Sequence, residues 1–97
     1  MEYFVLSLKW TVGSDYIVFW RPNNAGYTVD IQQAGRYSQE QIINNPTYYD
    51  NGTSTLAVPC GEVEPKVWHV VDSGKLHEFM DPRGVDYQEV LAAKHRG

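Results

Sequence analysis

The sequence predicts one small α+β domain over residues 1–97: a mainly antiparallel sheet of four to six strands with one or two helices packed on it. Three observations lead there. Residues Tyr3 to Thr11 alternate, with Phe4, Leu6, Leu8 and Trp10 on one face, the period of a strand with one buried side. A turn, Gly13-Ser14-Asp15, leads directly into the apolar run Tyr16 to Trp20, so the two strands form an antiparallel hairpin. Two spacings, Ser38-x-x-Gln41 and Asp86-x-x-Glu89, are the signature of helix starts.

The run Tyr16 to Trp20 is apolar on both faces and suits a central strand. Pro22 has no amide hydrogen to give a ladder, so pairing stops there. Gly26 to Val29 reads as a third short strand. Asp30 caps one helical turn, Ile31 to Ala34, closed by Gly35. Ser38 opens a helix over Gln39 to Asn44, with Pro46 just beyond its end. Thr47 to Gly52 is a polar and aromatic loop whose Asn51-Gly52 pair signals a turn. Ser54 to Val58 is a strand stopped by Pro59, and Cys60 to Lys66 is irregular. Val67 to Val71 reads as a further strand, turned by Asp72-Ser73-Gly74. Lys75 to Met80 fits either a returning strand or a helical turn, Asp81 to Gly84 is a loop, and a helix runs from Asp86 to about His95.

Composition narrows the function. A chain of 97 residues can bury one modest core. Of its three Trp, seven Tyr and three Phe, most are expected to fill the core of a small domain and some of the Tyr to lie on the surface as contacts. A net charge of −4 with no basic face argues against direct nucleic-acid binding and suits a basic surface on a protein partner. A single cysteine, Cys60, excludes an internal disulfide and points to a reducing compartment. No apolar run approaches the length of a membrane span and the first residues lack a leader pattern, so a cytoplasmic protein is expected.

No catalytic constellation emerges. Cys60 and His69 flank a turn, but nothing in their spacing joins them as a dyad. His69, His77 and His95 with one cysteine have no zinc-ligand spacing. Asp30, Asp50, Asp72, Asp81 and Asp86 read as caps and turns. The expectation is a non-enzyme with no cofactor and no metal.

Binding residues are concentrated elsewhere. Trp20, Arg21, Asn23, Asn24 and Tyr27 crowd one loop between strands, and Arg36, Tyr48 and Tyr49 join them as candidates for a partner-binding surface. Aromatic rings with arginine are the composition of interface hot spots. The alternative is a nucleotide binder. In it Arg21 and Arg36 hold phosphates, the rings of Trp20, Tyr27, Tyr37, Tyr48 or Tyr49 stack on a base, and Asn23 and Asn24 read its edge.

Four blocks carry a resemblance: Trp20 to Thr28, Ala34 to Ser38, Tyr48 to Gly52, and Ala57 to Cys60. Over about residues 3 to 60 the chain resembles small uncharacterised proteins of tailed bacteriophages and prophages. The resemblance implies a phage or prophage origin, a bacterial host cytoplasm, and action by binding a host protein. That partner would include nucleic-acid-binding effectors of defence systems such as CRISPR–Cas. A homodimer through sheet extension is also expected if an edge beside Tyr3 to Thr11 or Val67 to Val71 is exposed.

Overall fold

The computed structural model describes residues 1–64 and 69–96. Its centre is β1 (Glu2–Ser7). Along one edge β1 pairs with β5 (Thr55–Pro59), Tyr3 opposite Pro59 through Ser7 opposite Thr55. Two strands share the other edge. β2 (Val18–Trp20) pairs at Leu6 and Ser7, and β4 (Tyr37–Ser38) pairs at Glu2 and Tyr3. β3 (Tyr27–Thr28) continues the sheet beyond β2. All five strands are antiparallel, and the α+β class is as expected.

Short helices cover both faces: α1 (Leu8–Thr11), α2 (Gln39–Asn44), α3 (Pro46–Tyr49), α4 (Cys60–Val63), α5 (Leu76–Met80) and α6 (Tyr87–Arg96). The expected one or two helices become six among the described residues. Three are four-residue turns, α1, α3 and α4, and side-chain caps start three of the six, α1, α2 and α6. Ser38 accepts from the Gln41 amide at 3.1 Å, and Asp86 accepts from the Gln88 amide at 2.8 Å. Asp30 accepts from Gln32 at 2.9 Å ahead of the turn Ile31–Gln33.

Several boundaries move. β1 ends at Ser7, four residues before the alternation does, because the Ser7 hydroxyl accepts from the Trp10 amide at 3.1 Å and opens α1. Leu8 still enters the core, whereas Trp10 turns outward. Nor does β1 have one buried side: Phe4 and Leu6 face one cluster and Val5 another. Pro46, expected as a stop, is also the first residue of α3, so Tyr48 and Tyr49 sit on a helical turn. The start of the expected irregular stretch is α4, and Leu76 to Met80 is helical. The strand expected over Val67 to Val71 falls partly on residues 67 and 68, outside the described residues. The carbonyl of Val71 accepts from Ile17 at 2.8 Å and that of His69 from Ile31 at 2.6 Å.

The two clusters differ in chemistry. The larger is mainly aliphatic around a Phe4–Phe19 ring pair, and packs these with Leu6 and Leu56 under residues of α4, α5 and α6, among them Val63, Phe79, Met80 and Val90. The smaller, on the opposite side of the sheet, holds Val5, Trp20, Tyr37, Ile42, Tyr49 and Ala57.

The outer edge of β5 is closed by side chains. The Ala57 amide donates to Asp50 Oδ1 at 2.9 Å, and the Ala57 carbonyl accepts from Arg83 Nη1 at 2.7 Å. Arg83 Nη2 lies 2.5 Å from Asp50 Oδ2, tying the two caps together. The Thr55 amide donates to Asn51 Oδ1 at 3.2 Å, the Thr55 carbonyl accepts from the Gly52 backbone amide at 2.9 Å, and Pro59 has no amide hydrogen. Of the two edges named for sheet extension, that of β1 is not exposed, since both of its sides are already paired, and Val67 to Val71 lies partly outside the described residues.

Gly35 approaches the chain ahead of it closely. Its amide donates to the Trp20 carbonyl at 2.8 Å. A Cβ there would lie 2.8 Å from both Pro22 N and Pro22 Cα, and backbone cannot step aside as a side chain can. Gly35→Ala is therefore expected to cost about 1–3 kcal/mol, read as a lower urea midpoint with an unchanged denaturant slope. An unchanged midpoint would show that the 20–22 segment yields.

Candidate functional site

The aromatic cluster is built around Trp20. Its ring lies 5.7 Å from that of Tyr49, 6.4 Å from Tyr37, 5.2 Å from Tyr48 and 6.5 Å from Tyr27. Most of these pairs are edge-to-face, an arrangement worth about 0.5–1.5 kcal/mol per pair beyond burial. Tyr37 and Tyr49 form the inner layer and are buried. The expectation that Tyr49 is a surface contact is corrected. Only 6% of it is exposed, because α3 turns its ring under Trp20.

Two tyrosine hydroxyls hold the Trp20-to-Tyr27 loop from beneath. Tyr37 Oη donates to the Arg21 carbonyl at 2.5 Å and accepts from the Asn24 amide at 3.2 Å. Tyr49 Oη accepts from Asn24 Nδ2 at 3.3 Å and from Gln41 Nε2 at 3.2 Å. Asn23 and Asn24 both adopt left-handed backbone, φ 60° and 58°, which asparagine tolerates better than most residues. Asn24 is thus a structural bracket, and Asn23 is an exposed turn residue. Arg21 Nε donates to the Tyr27 carbonyl at 3.0 Å and steadies β3.

Above this layer lies a groove of about 270 Å³. Buried Trp20 contributes its floor, and Trp10, Tyr27 and Tyr48 its walls, these three between 48% and 50% exposed. Ser7, Thr47, Asn51, Ser54 and Thr55 add hydroxyl and amide groups, and Lys9 stands with its Nζ 5.1 Å from the Trp10 ring. Each wall is fixed through its backbone. The Thr11 hydroxyl accepts from the Val18 amide at 2.9 Å and docks α1 on β2, while Thr55 Oγ1 donates to the Tyr48 carbonyl at 3.1 Å. The Asn51 carboxamide accepts from the amides of Thr53, Ser54 and Thr55 and donates to the Thr47 carbonyl, locking the rim.

Of the expected surface, the fold brings Trp20, Tyr27 and Tyr48 together, with Arg21 alongside. Arg36 is elsewhere. It sits beside β4 at the start of β1, paired with Glu2 at 3.6 Å and with Glu64, its guanidinium 5.4 Å from the Phe4 ring. Trp10 and Lys9 belong to the groove although the alternation placed them in a strand. The helix-cap spacing from Ser7 to Trp10 was the signal that could have found them.

The other candidate chemistry is dispersed. Burial pushes the Cys60 thiol up, with Arg36 acting against it, so the thiol is held in its weakly nucleophilic protonated form. The exposed His69 has its Nδ1 3.6 Å from Asp30. Among the described residues no three His, Cys, Asp or Glu side chains gather where they could share a metal ion, and no helix is long and apolar enough to cross a membrane. Compared with known proteins, the chain matches no family model, no curated protein and no solved structure.

Burial also raises the Tyr37 phenol above its ordinary 10.0. The folded state holds that proton more tightly than the unfolded chain does. Its contribution is therefore fully present below pH 10.0 and is lost as pH rises through the higher folded value. Tyr37→Phe removes the donor to Arg21 and the acceptor for Asn24, and is expected to cost about 1–3 kcal/mol at neutral pH. In alkaline denaturation the variant should lose less stability above pH 10.0 than the parent does; parallel curves would show that Tyr37 does not carry the effect.

Proposed function

We propose that this chain is a binding protein without chemistry of its own, which occupies a bacterial host protein through the Trp10–Tyr27–Tyr48 groove. The observation that carries the reading is the pairing of half-exposed rings with a rigid support: three walls stand on a floor whose backbone and hydroxyls are already hydrogen-bonded. Preorganised aromatic surface loses little freedom on binding, which is why such rings make anchors. Among the described residues Lys9 is the one charged residue lining the groove, so its contacts are mainly apolar and hydrogen-bonding. The sequence blocks that resemble phage proteins support a host target, and defence effectors such as CRISPR–Cas complexes are the class to try first.

The arrangement favours this reading over nucleotide binding. Neither arginine that would hold phosphates lines the groove: Arg36 is paired with Glu2 and Glu64 elsewhere, and Arg21 gives its Nε to the Tyr27 carbonyl.

The test is retention of a stoichiometric host protein on the tagged chain. Trp10→Ala and Tyr48→Ala are each expected to weaken the complex by about 2 kcal/mol, the scale of a hot-spot aromatic, while Arg36→Ala leaves it intact. Binding that survives both aromatic substitutions would remove the groove as the contact surface.

A further inference from the structure

A second groove, of about 400 Å³, runs between α2, the outer edge of β5 and α5, and shares no lining residue with the aromatic one. Its apolar surface comes from Tyr3, Ile42, Ile43, Pro59, Phe79 and Pro82. Ile43 is the unusual member, a β-branched side chain left 63% exposed beside the buried Ile42.

The charge around it is one-sided. Among the described residues, Asp50, Glu62 and Glu78 line the groove against a single cation, Arg83, and that guanidinium is held by Asp50 and the Ala57 carbonyl. Lys75 approaches Glu78 only to 3.8 Å, with both side chains more than half exposed, a pair of small energetic weight. The neighbouring groove, which shares Asp50 and Arg83, adds Asp86 and Glu89. The field over this face is negative, and it favours a positively charged occupant.

The backbone decides the occupant's form. An added strand would need free amides and carbonyls on β5. Those of Ala57 go to Asp50 and Arg83, those of Thr55 go to Asn51 and Gly52, and Pro59 has no amide hydrogen. What binds here must do so through side chains, as an amphipathic helix does when it lays its apolar face in a groove.

We infer that this groove docks an amphipathic helix of a partner protein, its apolar face flanked by lysine or arginine. The Ile43 side chain and the Phe79 ring receive the apolar face, and Glu62 and Glu78 meet the flanking cations.

Three fluorescein-labelled peptides test this by anisotropy against the full chain: a leucine–lysine amphipathic helix, its leucine–glutamate counterpart, and a serine–lysine peptide of equal charge without an apolar face. The leucine–lysine peptide alone should bind saturably. Ile43→Ser, at an exposed position, should weaken it about tenfold. The pair Glu62→Gln and Glu78→Gln should weaken it and flatten its salt dependence, with circular dichroism showing both variants folded. Equal binding of the serine–lysine peptide, or saturable binding of the leucine–glutamate one, would overturn the inference. So would a loss seen with Trp10→Ala but not with Ile43→Ser, which would place the peptide in the aromatic groove. A concentration-dependent dimer abolished by Ile43→Ser would also overturn it, giving the groove to a second copy of the chain. Because the aromatic groove is read through Trp10 and this one through Ile43, either reading can fail while the other stands.

Discussion

The placement of β1 constrains everything else. It is paired along both edges and flanked by apolar residues on both faces, so a short chain has to build two covers for one sheet. The aliphatic cover uses the C-terminal helices. The other has only α2, α3 and the loop after β2 to draw on, too little chain for a second aliphatic layer. Large rings solve this, since each buries far more area than a Leu or Val for the backbone it occupies. The aromatic richness of the sequence is thus largely a packing solution, and the groove is what remains where the outer rings of that cover reach solvent.

Much of this was legible. The class, the antiparallel pairing of the first two strands, the stop at Pro22 and the caps at Asp30, Ser38 and Asp86 follow from period and local hydrogen-bonding chemistry, both of which are properties of a few consecutive residues. What was not legible depended on competition between local signals. At Ser7 an alternating pattern and a helix cap overlap, and the cap prevails. At Pro46 a stop for one helix is also the start of the next. The site shows the same division. Trp20, Tyr27 and Tyr48 were identifiable as a group, but the inward turn of Tyr49 and the removal of Arg36 to the far end of β1 are set by tertiary packing.

The four sequence blocks that prompted the phage resemblance meet physically. Gly35 of the second touches the backbone of Pro22 in the first, and the Tyr37 hydroxyl grips Arg21. Tyr49 of the third lies against Trp20, and its neighbour Asp50 holds Ala57 of the fourth. Their residues form one connected support for the sheet. Trp10 and Ile43, the exposed apolar residues on which the two grooves turn, lie outside all four blocks.

The closed edge of β5 has a consequence for how the chain is made. During synthesis Asp50 precedes Ala57 and can cover its amide at once, but Arg83, which covers the carbonyl, lies 26 residues further along. All five strands are therefore synthesised before that guanidinium. Until Arg83 docks, the folding sheet carries an open acceptor on its rim, and strand-to-strand joining between neighbouring chains is then least guarded. Arg83 is in this sense a late latch, closing from 26 residues away an edge that Asp50 covers from close by.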